Sequence, residues 1–317
     1  MTKIFMTRPL PETVQAAARA DFDLTVRPMT SPLTVEEMRT ALSEYDGVIP
    51  TLGDLFSSDI FKAQEDWRCQ ILANFGVGYN HIDVAAAKAA GITVSNTPGA
   101  VTDATADVAL TLMLMSARRA GEGERLLRAG RWEGWHPTQL LGMHLGGKTV
   151  GIVGMGRIGQ AIARRCHAGF GMTVAYHSRS PKVLDFPATR MDSLLALAAA
   201  VDVLVLAVPG GDETHHLINA EVLEAMQPHA HLINIARGNV VEEAALIRVL
   251  EQGAIGGAGL DVYEFEPAVP DALCAMENVV LLPHLGTAAL EVREDMGLMS
   301  VRNLQAFFAG ETPPNLV

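Results

Sequence analysis

KTVGIVGMGRIGQAIARR, residues 148–165, followed shortly by MTVAYHSRSP, residues 172–181, is the stretch on which the fold turns. An apolar strand runs into three glycines, Gly154, Gly156 and Gly159, and an amphipathic helix opens behind them. In that setting G-x-G-x-x-G predicts a dinucleotide site at the first turn of a doubly wound sheet. Gly154 allows the tight turn, Gly156 lets a pyrophosphate approach the backbone, and Gly159 lets helix and strand pack closely. The free amides at the helix start face the anion. A carboxylate for the adenosine ribose is expected about 20 residues on, at the end of the next strand. That place reads Tyr176-His177-Ser178-Arg179-Ser180, and no Asp or Glu occurs between Gly156 and Asp185. A cation and hydroxyls stand where the acid belongs. They suit a 2′-phosphate, so NADP(H) is expected, with NAD(H) as the alternative.

Working outward, short apolar runs alternate with helical patterns along the whole chain, which predicts parallel sheets covered by helices. Before the glycine motif, strands are expected at 3–6, 24–26, 47–49, 70–74 and 93–96, with helical connections at 33–43 and 83–90. After it, strands are expected at 149–153, 173–176, 203–208, 231–235, 257–260 and 279–282, the six of a Rossmann domain. Long helices are expected at 103–117 and 288–309, the second returning the chain to its first domain. The reading is α/β: two doubly wound parallel-sheet domains, with a Rossmann cofactor domain (100–287) inserted in a flavodoxin-like substrate domain (1–99 and 288–317).

Bulk properties narrow the function classes. The chain has 317 residues, 49% apolar and 19% charged, as in an ordinary globular protein. Its net charge of −12, with no Lys/Arg run, argues against a broad nucleic-acid face. No stretch approaches 18 apolar residues, and the start, MTKIFMTRPL, is too short a run for a signal peptide. Cys69, Cys166 and Cys274 are odd in number and far apart, which predicts neither a disulfide framework nor a zinc cluster. A cytoplasmic location is the simplest expectation. The histidines show no metal spacing. The rings of adjacent His215 and His216 are not expected to converge on one ion, so no metal is expected.

Three polar residues follow strands of the second half. Arg237 comes after HLINIA, Glu266 after GLDVYEF, and His284 after VVLLP. Ligands of open α/β sheets bind beyond the carboxyl ends of strands. Reduction of a carbonyl needs a proton for the developing alkoxide, and a histidine supplies one near neutral pH. A neighbouring carboxylate orients the imidazole and stabilises its charged form. A carboxylate-bearing substrate calls for a planar donor, which arginine provides in bidentate form. Singly, each residue has an ordinary reading: a cap or surface pair for Arg237, a solvated turn for Glu266, a structural histidine for His284. Their joint place behind a glycine motif favours chemistry. Elsewhere, NFGVGYN, residues 74–80, is either a carboxylate-holding turn or a plain tight turn. Trp132 and Trp135 mark an interface, a pocket wall or core. His177 stands where adenine or a phosphate would lie.

The chain resembles the D-isomer-specific 2-hydroxyacid dehydrogenases over essentially its whole length. The resemblance rests on ILANFGVGYNHIDV, VTDATADVALTLML, GKTVGIVGMGRIGQAIARR, LINIARGNVVEEAAL and GGAGLDVYEFEP…VVLLPHLGTA. It implies a catalytic trio of Arg237, Glu266 and His284, with substrate carboxylate bound by backbone at Val77 and Gly78 and by Arg237. It implies cofactor contacts from Thr105, Gly156, Arg157, Ile158, Val208, Pro209, Thr214, Ala236, Asp261, His284 and Gly286, Asp261 holding the carboxamide. It also implies a homodimer formed through the cofactor domain and the segment 103–142. TDATAD, the tryptophan-containing arm and HSRS look most like glyoxylate/hydroxypyruvate reductases. The expected reaction is NADPH-dependent reduction of small 2-keto acids, with Lys182 joining Arg179 near the phosphate. An NADH-linked D-lactate or other bulky-keto-acid reductase, and a dinucleotide-sensing, corepressor-like binding protein, are the alternatives. Short-chain reductases are set aside because none of the four tyrosines has a lysine four residues on, and zinc-dependent ones because a Cys/His cluster is lacking.

Overall fold

The computed structural model describes residues 1–64 and 66–317, and the chain divides into two compact units, 1–101 with 287–317, and 102–286. In the first unit the strands are β1 (Lys3–Met6), β2 (Asp23–Val26), β3 (Gly47–Ile49), β4 (Ile71–Ala73) and β5 (Thr93–Ser95). They form one parallel sheet in the order β2-β1-β3-β4-β5, the flavodoxin-like winding. Its central strands are buried on both faces, as the continuous apolar runs require. The helix Leu290–Phe308 packs on β4 and on the helix Glu12–Asp21. Gly297 makes that approach possible, because a Cβ there would lie 2.5 Å from Val14.

The second unit adds β6 (Thr149–Val153), β7 (Thr173–His177), β8 (Thr189–Arg190), β9 (Val203–Leu206), β10 (His231–Asn234), β11 (Gly257–Leu260) and β12 (Val279–Leu281). Their order is β12-β11-β10-β9-β6-β7-β8, all parallel. The winding reverses at β6, where β7 lies on one side and β9 on the other, so the crevice of a doubly wound sheet falls at the glycine turn. The sheet has seven strands where the sequence predicted six. The added strand, β8, is two exposed residues at the edge, without the apolar run that periodicity detects. The helix Thr102–Ala117 is apolar on most sides and buries Ala106, Ala109, Leu112 and Met113 against β10, β11 and the helix Arg157–Phe170. Trp132 and Trp135 are 51% and 80% exposed, which removes the core reading for both. No helix among the described residues is long and apolar enough to cross a membrane.

Candidate active site

The glycine turn is built as its residue types require. Gly154 sits at φ +95, and a Cβ there would meet Ala207 O at 2.7 Å and Val208 Cγ1 at 2.8 Å. A Cβ at Gly159 would collide with the carbonyl of Gly154, whereas one at Gly156 would meet nothing within 4 Å. Two glycines therefore permit close packing, and the third leaves open space beside the backbone. No side chain caps the helix Arg157–Phe170, so its first-turn amides remain for an anion. This cradle fits the pyrophosphate of a dinucleotide.

Beyond β7 the segment expected to select the cofactor is a compact turn. Ser178 Oγ donates to Ser180 O (2.7 Å), and Lys182 Nζ donates to Ser180 Oγ (3.0 Å). His177 Nδ1 lies 3.1 Å from Met191 O, which ties its ring to the connection past β8. Arg179 pairs with Glu213 across 2.9 Å, both highly exposed. Arg190, on β8, donates to Ser178 O at 3.2 Å and brings a further cation to this turn. The sequence reading missed it, since only the edge pairing of β8 with β7 places it there. Beyond β9, Thr214 Oγ1 donates to Pro209 O (2.8 Å) and Gly211 O (3.1 Å), closing the loop that begins at Val208.

The three candidate catalytic residues lie past β10, β11 and β12, which are neighbours in the sheet. Asn234, buried at the end of β10, accepts from Ala236 N and donates to Arg237 O, each at 3.0 Å, and so fixes the turn that presents Arg237. Gly238 follows because a Cβ there would collide with the Tyr263 backbone. Burial pulls the Arg237 guanidinium below its ordinary pKa, and the charge of Glu266 opposes that shift. Glu266 Oε2 is 2.9 Å from His284 Nδ1, and its Oε1 accepts from Tyr263 N at 3.1 Å. Burial disfavours the Glu266 carboxylate, but the bond to His284, its charge, the Tyr263 amide and Arg237 together hold the pKa below the carboxylate norm. Ionised Glu266 only accepts, so Nδ1 of His284 carries the proton of that bond.

His284 has left-handed backbone, φ 55, uncommon for a residue with a side chain. Asp261 holds that turn: its O accepts from His284 N (2.9 Å), Oδ1 from Leu285 N (2.6 Å) and Oδ2 from Gly286 N (2.8 Å). Thr105 Oγ1 donates to Gly286 O at 3.0 Å. Burial raises the Asp261 pKa, while the two amides and His284 oppose the shift. Thr105, Asp261, His284 and Gly286 thus form one network. Asp261, expected to meet the carboxamide, already spends both oxygens on the histidine turn.

In the other unit, the turn after β4 is tied by two asparagines. Asn74 Nδ2 donates to Gly76 O and Gly78 O, and Asn96 Nδ2 donates to Val77 O. His81 Nε2 lies 3.0 Å from Asn74 Oδ1. The carbonyls of the turn are engaged, and the amides of Val77 and Gly78 have no partner among the described residues. His215 and His216, adjacent in the chain, stack on one another. His216 has φ 48, which turns its ring onto that of His215, with centroids 3.9 Å apart. A cavity of about 620 Å³ opens at the opposite, amino ends of β10, β11 and β12, lined by Ser116, His231, Gly256 and Asn278. It contains none of the predicted site residues.

With this geometry in place, residues 110–286 match the model of the D-isomer specific 2-hydroxyacid dehydrogenase family, NAD binding domain. The chain belongs to the D-isomer specific 2-hydroxyacid dehydrogenases. A glyoxylate reductase of Thermococcus kodakarensis is 44% identical, covering 99% of this chain and 96% of that protein. A glyoxylate reductase of Pyrococcus furiosus is 42% identical, covering 99% and 95%. The NADPH-dependent glyoxylate/hydroxypyruvate reductase of Sinorhizobium meliloti, solved with NADP and malonate, superposes with a TM-score of 0.89 at 38% identity, covering 100% and 96%. As a 2-hydroxyacid dehydrogenase this chain is a nicotinamide-dinucleotide-dependent oxidoreductase acting between 2-hydroxy and 2-keto acids.

Proposed function

We propose that the protein reduces small 2-keto acids, glyoxylate and hydroxypyruvate foremost, with NADPH. The observation that carries the reading is the 2.9 Å pair of Glu266 and His284 past adjacent strands, in the unit that holds the glycine cradle and Arg237. The bound reduced nicotinamide supplies the hydride. Within the cofactor-binding unit Arg237 is the donor for the substrate carboxylate, and within the substrate-binding unit the amides of Val77 and Gly78 offer a carboxylate-holding turn. His284, held by Glu266 through Nδ1, donates a proton from Nε2 to the carbonyl oxygen as negative charge develops there. Glu266 stabilises the protonated imidazole beforehand, and Asp261 and Thr105 hold the turn that aims it. In the reverse direction the same imidazole is the base. Ser178, Arg179, Ser180, Lys182 and Arg190 support NADPH over NADH, since no acid follows β7 in the chain before Asp185 and the Glu213 that pairs with Arg179 comes from the loop after β9. Exposed Trp132 and Trp135 support a homodimer through the segment 103–142.

The test is a matrix of initial rates, NADPH and NADH against glyoxylate, hydroxypyruvate, pyruvate and phenylpyruvate, repeated with Arg179→Ala. The expected result is highest kcat/KM for NADPH with glyoxylate or hydroxypyruvate, and a variant that raises KM for NADPH alone. Equal losses with both cofactors overturn the phosphate assignment. Fastest turnover of phenylpyruvate overturns the substrate assignment.

A further inference from the structure

The loop that leaves β9 carries two histidines after Thr214, and the fold brings both beside one acid from the segment after β11. His216 Nε2 lies 2.7 Å from Glu264 Oε1. One ring nitrogen of each histidine and one oxygen of Glu264 all lie within 4.8 Å of one another. Two imidazoles and a carboxylate are a donor set for zinc and related first-row divalent ions. We propose that His215, His216 and Glu264 form a binding site for a divalent transition-metal ion of the zinc class, separate from the trio of Arg237, Glu266 and His284.

The spacing suits the chemistry. Bonds of about 2.0–2.2 Å around a tetrahedral ion place donor atoms roughly 3.4 Å apart. The observed separations, from 2.7 Å to at most 4.8 Å, bracket that value. Two of the ligands are anchored. His216 N donates to Asn239 O at 2.8 Å, and Glu264 Oε2 accepts from Glu243 N at 3.3 Å, which turns Oε1 toward the histidine. The third is adjustable: His215 is exposed, and its ring must tilt further than the observed 26° for both lone pairs to meet one ion. In the metal-free protein Nε2 and Oε1 share a hydrogen bond, and an ion bound there takes the place of its proton.

Surrounding charge favours a cation. Asp212 precedes the histidines and Glu243 lies against Glu264, while Glu213 is already paired with Arg179. An ion here ties the loop bearing Thr214 to the segment that leads into Glu266, with its remaining position open to water.

The experiment uses the full chain without an affinity tag: calorimetric titration with Zn²⁺, and the visible absorption of Co²⁺ in the same site. One ion per chain is expected, with a tetrahedral cobalt spectrum. Loss of an outer-shell partner already costs 10–100-fold in metal affinity, so His215→Ala and Glu264→Gln should each weaken binding by at least about tenfold. His215 is exposed, so its variant keeps the fold, and near-ultraviolet circular dichroism checks both proteins. His144→Ala, an exposed histidine elsewhere, should change nothing. Absence of binding, unchanged affinity in either ligand variant, or an equal loss in His144→Ala overturns the site.

Discussion

Glu266→Gln separates the charge of the catalytic carboxylate from its shape. Glu266 serves two donors at once, Tyr263 N through Oε1 and His284 Nδ1 through Oε2. Glutamine has one oxygen and one NH₂, so it satisfies only one of them. If its oxygen stays with Tyr263, the NH₂ faces Nδ1 and selects an imidazole that carries its proton on Nε2 alone, with no anion to stabilise the doubly protonated ring. If it flips, NH₂ opposes the Tyr263 N–H. A hydrogen bond to a charged group is worth about 1.5–3 kcal/mol. The side chains of His284 and Glu266 are 30% and 32% exposed, so solvent screening brings the pair to about 1–2 kcal/mol. The mismatched donor adds about 1 kcal/mol. The sum of about 2–3 kcal/mol corresponds to a roughly 30- to 150-fold loss in kcat for reduction. KM for the cofactor should hold, because Glu266 acts on the imidazole. The limb of the pH–rate profile that reports the essential acid should move to lower pH, with part of the lost rate recovered there. Initial rates across roughly pH 5–9, with circular dichroism as a folding control, read both effects. A variant within about threefold of wild type, or one with lower kcat and an unmoved profile, refutes the role assigned to the pair.

Two further outcomes test the supporting structure. His231, 7% exposed and bonded to Ser116 Oγ at 2.7 Å, has its pKa lowered to about 4 by burial and then by the charge of His229. The unfolded chain takes up that proton near pH 6.5 and the folded one does not. Its contribution is therefore present above about pH 6.5 and falls away toward pH 4, by up to about 3 kcal/mol. Denaturant unfolding of wild type and His231→Asn should differ in acid slope by close to one proton, and identical slopes contradict the assignment. Asp261→Asn should lower both stability and kcat. The buried carboxylate accepts two amides with its side chain, and an asparagine NH₂ opposes one of them at about 1–3 kcal/mol. Unchanged melting and turnover would mean that Asp261 does not hold the His284 turn.

Much of this protein is determined locally, and that part is legible in sequence. The strands of β6 and β10 are continuous apolar runs because both faces of a parallel sheet are covered. Gly154, Gly156 and Gly159 are dictated by a backbone turn, a close approach and an open space within six residues. Arg237, Glu266 and His284 could be singled out because parallel winding puts residues that follow strands at one edge of the sheet. The tertiary structure alone decided the rest, where partners are far apart in the chain. Strand β8 and Arg190 owe their place to edge pairing with β7, which leaves no periodic trace in two exposed residues. Asn234 reads as an ordinary polar residue, and Asp261 only as the carboxamide contact that the family resemblance implies, until burial leaves turn amides for them to satisfy. Nothing in the sequence links His215 and His216 to Glu264, and a left-handed residue stacks the two rings beside that acid, 48 positions from His216. In the opening stretch, the glycines follow from chain geometry. Which charges surround the end of β7 follows from how distant loops fold back upon it.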